Sequence, residues 1–328
     1  MINLILQVHI TGKCNLNCKH CYMDEHKDEM SFSNFKKILK QYDEWAEYTK
    51  KTTKQQVVKN LHITGGEPLL HSQFDKILRY LLLHRRKYRI AFMTNGTLLN
   101  RRYIKRFKAL KIKPLQVSLD GDREEHDYIR GKGNFDKVIA AIDLLHQYNM
   151  PCRVSFTANK HNYTHFSKVA DICREHNVSS LWSDRYIPCK DELFVVDNED
   201  MPDYVNILRK EKNSSKNGKL RIENQRALQF LNSNETPYHC KAGNLFMAID
   251  ENGEIFPCRR LPISCGNIKS STLLHTYLNN EVFIELRKHE IPSGCQKCEY
   301  NKKCLGGAKC ISYALTGDYN VKDPSCFI

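Results

Sequence analysis

The stretch Cys14-Asn-Leu-Asn-Cys18-Lys-His-Cys21-Tyr22 constrains this chain more than any other. It sets three cysteines, as CxxxCxxC, on one short loop directly after the first predicted strand, Leu4 to Thr11. Three thiolates at these spacings can face one iron-sulfur cluster, and three ligands on a four-iron cluster leave one iron open. Blander readings compete. In a chain with 14 cysteines close spacings arise by chance, and closely spaced cysteines also serve zinc. Zinc, however, usually takes paired CxxC knuckles that close a tetrahedron, whereas here a lone triplet follows a strand, with an aromatic, Tyr22, directly behind it.

The pattern after this loop repeats. Ser31 is a candidate N-cap for a helix from Phe32 to Glu47, with Phe35, Ile38, Leu39, Tyr42 and Trp45 along one side. A strand from Val57 to Thr64 ends in Gly65-Gly66-Glu67-Pro68, and a strand from Arg89 to Thr94 ends in Asn95-Gly96. The fourth strand, Leu115 to Leu119, ends in Asp120-Gly121, and Arg153–Ala158 and Ser180–Ile187 follow. Helices at Ser72–Arg85, Asn100–Leu110, Asn134–Tyr148 and Thr164–His176 separate them. This alternation predicts an α/β fold with a parallel sheet. Right-handed crossovers curl it into an open, partial (β/α)6 TIM-like barrel over residues 1–196. Ligands collect at the carboxyl ends of such strands, so Cys14, Gly66, Asn95 and Asp120 are expected to ring one pocket.

Residues 197–237 are polar and turn-rich and read as a bridge. Residues 238–328 read as a small cysteine-rich α+β domain: eight of the 14 cysteines lie in the last 89 residues. Leu245–Ile249 and Glu254–Pro257 flank the turn Asp250-Glu-Asn-Gly253 and predict a hairpin, and a helix is expected from Leu273 to His289. Two zinc knuckles are the alternative reading of these cysteines.

Taken together, the CxxxCxxC loop after the first strand, Gly-Gly-Glu-Pro after the second and Ser118-Leu-Asp120-Gly121 after the fourth resemble the radical S-adenosylmethionine (SAM) superfamily. The resemblance implies a four-iron cluster held by Cys14, Cys18 and Cys21, whose open iron chelates SAM. It implies that Gly65, Gly66, Glu67 and Pro68 hold the methionyl amino group, the two glycines letting a ligand approach the strand end. It also implies that Asp120, with Ser118, reaches the ribose. Tyr22 and Asn95 belong to the same pocket, and Arg130 and Ser155 are candidates for the SAM carboxylate or ribose.

The C-terminal cysteines resemble the SPASM extension of that superfamily. By its ligation order Cys240, Cys258 and Cys310 hold a first auxiliary four-iron cluster, and Cys295, Cys298, Cys304 and Cys326 a second. The chain departs from the pattern in having five residues, not three, between Cys304 and Cys310, with Gly306-Gly307 among them. It also lacks an extra cysteine in Asn244-Leu-Phe-Met-Ala248. The first auxiliary cluster then has an open iron or a ligand from elsewhere. Cys265 is the nearest spare thiol, equally readable as a small buried side chain. Cys152, Cys173 and Cys189 read as core or surface residues, Cys189 at the pocket edge.

The implied chemistry is reductive cleavage of SAM to a 5′-deoxyadenosyl radical that removes hydrogen from a substrate carbon, with electrons from an external donor such as flavodoxin or ferredoxin. SPASM proteins act mostly on peptides, so a thioether or carbon-carbon cross-link in a ribosomally made peptide is the leading expectation. A small-molecule, haem-precursor type of reaction and a non-enzymatic zinc or cluster protein are the alternatives. Anaerobic sulfatase maturation ranks lower, because Arg259 stands where those enzymes carry an aspartate. Arg259 and Arg260 would suit an acidic leader peptide. No further domain precedes the first strand, so leader recognition would fall to a separate protein or be absent.

The formal charge, 51 basic minus 37 acidic residues, is +14. A solvated surface accounts for it ahead of nucleic-acid binding. The N-terminus lacks the flank and cleavage site of a signal peptide, and no stretch has the apolar length of a membrane span. A cytoplasmic protein is expected, where a disulfide framework is disfavoured.

Overall fold

Strand and helix alternate from the start: β1 (Ile2–His9), α1 (Phe32–Thr53), β2 (Val57–Thr64), α2 (Phe74–Leu83), β3 (Arg89–Thr94) and α3 (Arg101–Ala109). Then come β4 (Leu115–Ser118), α4 (Arg123–Arg130), α5 (Asn134–Gln147), β5 (Cys152–Ala158), α6 (Phe166–Glu175) and β6 (Ser180–Arg185). The chain continues through α7 (Met201–Ser214), β7 (Arg221–Glu223), β8 (Phe246–Ile249) and β9 (Ile255–Phe256). It closes with α8 (Leu273–Asn279), α9 (Glu281–Lys288), α10 (Asn301–Cys304) and α11 (Lys309–Thr316). These elements come from a computed structural model that describes residues 1–23, 28–188, 194–216, 218–223, 227–232 and 240–328.

The nine strands among the described residues belong to one sheet, in the order β7-β6-β5-β4-β3-β2-β1-β8-β9. Neighbours from β7 to β8 run parallel, and only β9 is antiparallel to its partner. The hairpin of β8 and β9, expected within a small C-terminal domain, instead continues the main sheet. β8 pairs with β1 in the register Ile5↔Phe246 to Val8↔Ile249.

The strands alternate between two environments. Leu4, Leu6 and Val8 of β1, Leu61 and Ile63 of β2, Leu115 and Val117 of β4 and Val154 and Phe156 of β5 are buried beneath the helices. Their neighbours Gln7, His62, Gln116, Ser118, Arg153, Ser155, Trp182 and Asp184 line a single cavity. A parallel strand covered by helices on both faces is apolar throughout. Here helices cover one face only, and a cavity lined from β7 round to β8 requires the sheet to curl about it, as a partial barrel does.

α1 shows how the outer layer is fixed. Ser31 caps it, its Oγ accepting from the Asn34 N–H at 3.2 Å. Lys54, in the left-handed region, ends it, six residues beyond the expected stop. Phe35, Ile38, Tyr42 and Trp45 are fully buried, each contributing about 1.5–3 kcal/mol of apolar burial. Tyr42 also donates to the Leu4 carbonyl at 2.8 Å. Two local expectations change. The helix expected over Leu273–His289 is two, divided at Asn280, whose side chain caps α9 by accepting from the Val282 N–H at 3.1 Å. α4 was not anticipated, although Asp122 caps it through the Glu125 N–H.

Candidate active site

The CxxxCxxC loop is clamped by the end of β2. Gly66 N–H donates to the Thr11 carbonyl and Glu67 N–H to the Lys13 carbonyl, both at 2.7 Å. A Cβ on Gly65 would lie 2.4 Å from the Thr11 oxygen, and one on Gly66 2.4 Å from the Lys13 oxygen. Two strand-end backbones therefore touch here, and only glycine permits it. The glycines seat the cysteine loop, a reason additional to the ligand approach inferred from the sequence.

Of Gly65-Gly66-Glu67-Pro68 only the two glycines line the cavity. Pro68 is buried at the start of a single 3-10 turn. The Glu67 carboxylate is fully buried and turned into the wall, accepting from Thr94 Oγ1, from Asn95 N–H at 2.9 Å and from Leu69 N–H at 3.1 Å. Burial pushes its carboxyl up to about 7 in spite of these donors. Glu67 thus holds Asn95 in place, and the Asn95 amide lies 3.9 Å from Cys14 Sγ while donating to Asn15 Oδ1 at 3.0 Å.

Cys14, Cys18, Cys21 and Tyr22 all line the cavity. Burial raises the Cys14 thiol and pushes Cys18 up to about 11, against the opposing pull of Arg130. Such thiols stay protonated until a cation displaces the proton, as a bound metal does. Three soft sulfur donors on one loop, facing a cavity, fit a cluster with one open iron. Among the described residues no three His, Cys, Asp or Glu side chains converge on a position for a single metal ion.

Asp120 does not reach the cavity. It is fully buried, accepts from the Thr157 N–H at 2.8 Å and pairs with Arg130 Nε. Burial alone would raise its carboxyl, but Arg130 and His20 hold it below the usual carboxylate range. Arg130, the residue Asp120 holds, lines the cavity and points Nη1 to 3.8 Å from Cys18 Sγ. His20 lies 3.4 Å from the same carboxylate, and burial lowers its pKa to about 4. Ser118 and Ser155, register partners on β4 and β5, line the cavity as expected.

The C-terminal cysteines close the other side. Cys240, Cys258 and Cys310 line the main cavity, and Cys295, Cys298, Cys304 and Cys326 line a smaller one of about 430 Å³. Cys304 touches both. Gly306 and Gly307 have φ of +88° and +90°, and a Cβ on Gly307 would lie 2.4 Å from Asp323 Cβ. The two extra residues before Cys310 thus make a left-handed turn around Asp323, which accepts the Ala308 N–H at 2.8 Å. Cys265 is buried against the Ile263 carbonyl and does not line the main cavity. Cys152 and Cys173 are buried in the core, and Cys189 lies outside the described residues.

Arg259 is buried with its guanidinium 4.8 Å from the Phe256 ring centroid. Arg260 lines the cavity, paired with Asp184 and donating to the Arg185 carbonyl at 2.9 Å. Neither is offered to the outer surface, where a leader peptide would meet it. Reading for motifs missed the inner-face residues His62, Gln116, Arg153, Trp182 and Asp184. Their signal is the polar-apolar alternation within β2, β4, β5 and β6. Arg153 donates to Glu223 at 3.0 Å, and Trp182 Nε1 to Gln116 Oε1 at 3.0 Å. No helix among the described residues is long and apolar enough to cross a membrane.

Comparison with known proteins agrees with this geometry. The family model of the Radical SAM superfamily matches residues 8–176. That of the SPASM iron-sulfur cluster-binding domain matches 240–299. The chain is 29% identical to an AdoMet-dependent heme synthase of Methanosarcina barkeri over 97% of its own length and 94% of the relative. It is 24% identical to that of Nitratidesulfovibrio vulgaris, over 97% and 90%. Among solved structures, SuiB of Streptococcus suis bound to S-adenosylmethionine superposes with a TM-score of 0.77 at 19% identity, covering 100% of this chain and 78% of SuiB. AdoMet-bound anSMEcpe gives 0.78 at 19%, over 98% and 93%. A superfamily match over more than half the length, on a barrel whose cysteine loop opens into the cavity, is decisive: the chain belongs to the radical SAM superfamily and carries a SPASM region.

Proposed function

We propose that this chain is a radical SAM enzyme acting on a multiply carboxylated small molecule of the haem-precursor kind. The observation that carries this reading is the cavity of about 1220 Å³, whose lining holds eight Lys or Arg side chains against two carboxylates, Asp184 and Glu223. Both carboxylates are already tied, to Arg260 and Arg153. Trp182, Tyr186, Phe230 and Tyr22 supply apolar and aromatic surface between the cations. Apolar and aromatic surface interspersed with cations suits a macrocycle edged with carboxylates. The heme synthase relatives, aligned over nearly the whole chain, support the same class.

In this reading Cys14, Cys18 and Cys21 hold the SAM-binding cluster. Cys240, Cys258 and Cys310 hold one auxiliary cluster, and Cys295, Cys298, Cys304 and Cys326 another. When bound, cluster and SAM supply the 5′-deoxyadenosyl radical that takes a hydrogen from the substrate carbon. The chain's part is positioning. Arg130, steadied by Asp120, offers a cation to the SAM carboxylate, while Ser118 and Ser155 face the nucleoside. Lys303, from the C-terminal side of the cavity, is placed to receive a substrate carboxylate.

Peptide cross-linking ranks second. The maturase neighbours, at or below 19% identity, speak for the fold alone, and Arg259, buried, with Arg260, turned into the cavity, removes the reason for expecting a leader peptide there.

The test is anaerobic incubation of iron-replete protein with SAM, reductant and an iron porphyrin bearing propionates, followed by mass spectrometry. Loss of carbon dioxide and two hydrogens from a propionate, leaving a vinyl group, is expected together with 5′-deoxyadenosine: one hydrogen leaves on the nucleoside, the other as a proton, and the remaining electron passes to an acceptor such as an auxiliary cluster. Deoxyadenosine formation stimulated by peptides and not by the porphyrin would overturn the substrate class.

A further inference from the structure

The charge excess is not spread over the molecule. Residues 76–119 contain 13 Lys and Arg and no Asp or Glu, which leaves 38 basic against 37 acidic residues in the rest of the chain. One segment of 44 residues thus accounts for almost the whole net charge of +14. All 13 side chains belong to exposed residues except the half-buried Arg106. Nearby acids compensate little: Asp75 takes Arg102 and Arg106, and Asp43 lies 3.8 Å from Lys87. Arg85, Arg86, Arg101 and Lys105 make no ion pair among the described residues.

The fold turns this segment into a band with a defined place. α2 and α3 lie on the outside of the sheet and run opposite to β3. Arg101 and Arg102, at the start of α3, therefore stand at the strand edge that carries the cysteine loop, and Arg85, Lys111 and Lys113 at the far edge. Between the cysteine loop and α3 the links are short. Asn95 lies 3.9 Å from Cys14 Sγ, Asn15 donates to Thr97 Oγ1 at 2.9 Å, and Asn100 caps α3.

We infer that this band docks an acidic one-electron carrier protein, which reduces the cluster at Cys14, Cys18 and Cys21. The step transfers one electron: the carrier is oxidised and the cluster reduced. The inference rests on the radical SAM reading of those cysteines. Charge complementarity of this kind steers encounter and sets register, and the band begins beside the group that needs the electron. Nucleic acid fits less well. The segment's aromatics Tyr80, Tyr88, Phe92, Tyr103 and Phe107 pack in or against the core, on Phe32, Tyr42, Phe74 and one another, and leave no stacking platform. Leu83, 83% exposed amid these cations, suits a protein surface instead.

The experiment uses reconstituted holoenzyme, reduced flavodoxin as the probe, and the variant Arg86→Glu/Arg101→Glu/Lys105→Glu. Binding is followed by interferometry and cluster reduction by stopped-flow bleaching, with dithionite as a carrier-independent control. Flavodoxin binding and reduction are expected to weaken ~10-fold or more in the variant, and in wild type as salt rises, with dithionite reduction unchanged. Unaltered flavodoxin binding in the variant would overturn the inference. So would loss of reduction through Lys297→Glu/Lys322→Glu, at the smaller cysteine-lined cavity, in its place, or tighter binding of RNA or anionic vesicles than of flavodoxin to the same band. A wild-type cluster that dithionite cannot reduce for SAM cleavage would instead sink the underlying radical SAM reading, and the inference with it.

Discussion

Arg185 and Asp323, 138 residues apart, form a two-pronged ion pair with side chains only 2% and 0% exposed. The adjacent Asp184, which like Arg185 lines the main cavity, pairs with Arg260. The end of one barrel strand therefore grips the C-terminal region through two ion pairs of opposite sense. Asp323 also accepts from Ala308 and Ser325 N–H groups, between the cysteines of the smaller cavity. Arg185→Leu leaves this carboxylate buried and unpaired, at a cost of about 3–5 kcal/mol. Chemical unfolding should show the loss, and iron content should fall below that of the wild type.

Gly66→Ala tests the loop clamp. The added methyl meets the Lys13 and Gly12 carbonyl oxygens at 2.4 and 2.6 Å, and backbone cannot yield as a side-chain tip can. A destabilisation of about 1–3 kcal/mol or more is expected, with weaker SAM binding measured by equilibrium dialysis.

Glu67 makes stability depend on pH. Its carboxyl rises from 4.5 to about 7 on folding because burial disfavours the charge. The native state therefore holds a proton that the unfolded chain releases between those values, and stability falls as pH rises from about 4.5 to about 7. The change is on the order of 3 kcal/mol. Glu67→Gln should flatten this slope in denaturant titrations across that range. An unchanged slope would assign it to other groups.

Cys265 and Cys310 separate packing from ligation. Cys265 is turned to the Ile263 carbonyl, away from the main cavity. Cys265→Ala should keep the wild-type iron content and lose about 1 kcal/mol of stability. Cys310→Ala should lower the iron per chain, measured by metal analysis and Mössbauer spectroscopy.

Much of the barrel was legible because period-two strands and capped helices are local signals: Arg89–Thr94 and Val57–Thr64 have the expected limits. The cysteine loop and its placement at the sheet edge were legible too. What the sequence hid was non-local. That Glu67 and Asp120 turn into the wall depends on Thr94, Thr157 and Arg130, distant in sequence, and that β8 joins β1 depends on a pairing across more than 200 residues. The division of α8 from α9 was within reach, since Asn280 before Glu281 is a capping signal. The polar alternation of the inner face was also readable, and marks an internal cavity once parallel strands are inferred.

The pairing of β8 with β1 has a bearing on how this protein can be cut. Removing the chain from residue 240 onward would strip β1 of one hydrogen-bonding neighbour and bare backbone groups along Ile5–Val8. A naked parallel edge beside apolar Leu4, Leu6 and Val8 invites self-association. The barrel and its C-terminal region are thus inseparable in handling: a truncated barrel should be recovered as aggregates, and a transplant of this region onto another barrel must bring a strand that matches β1.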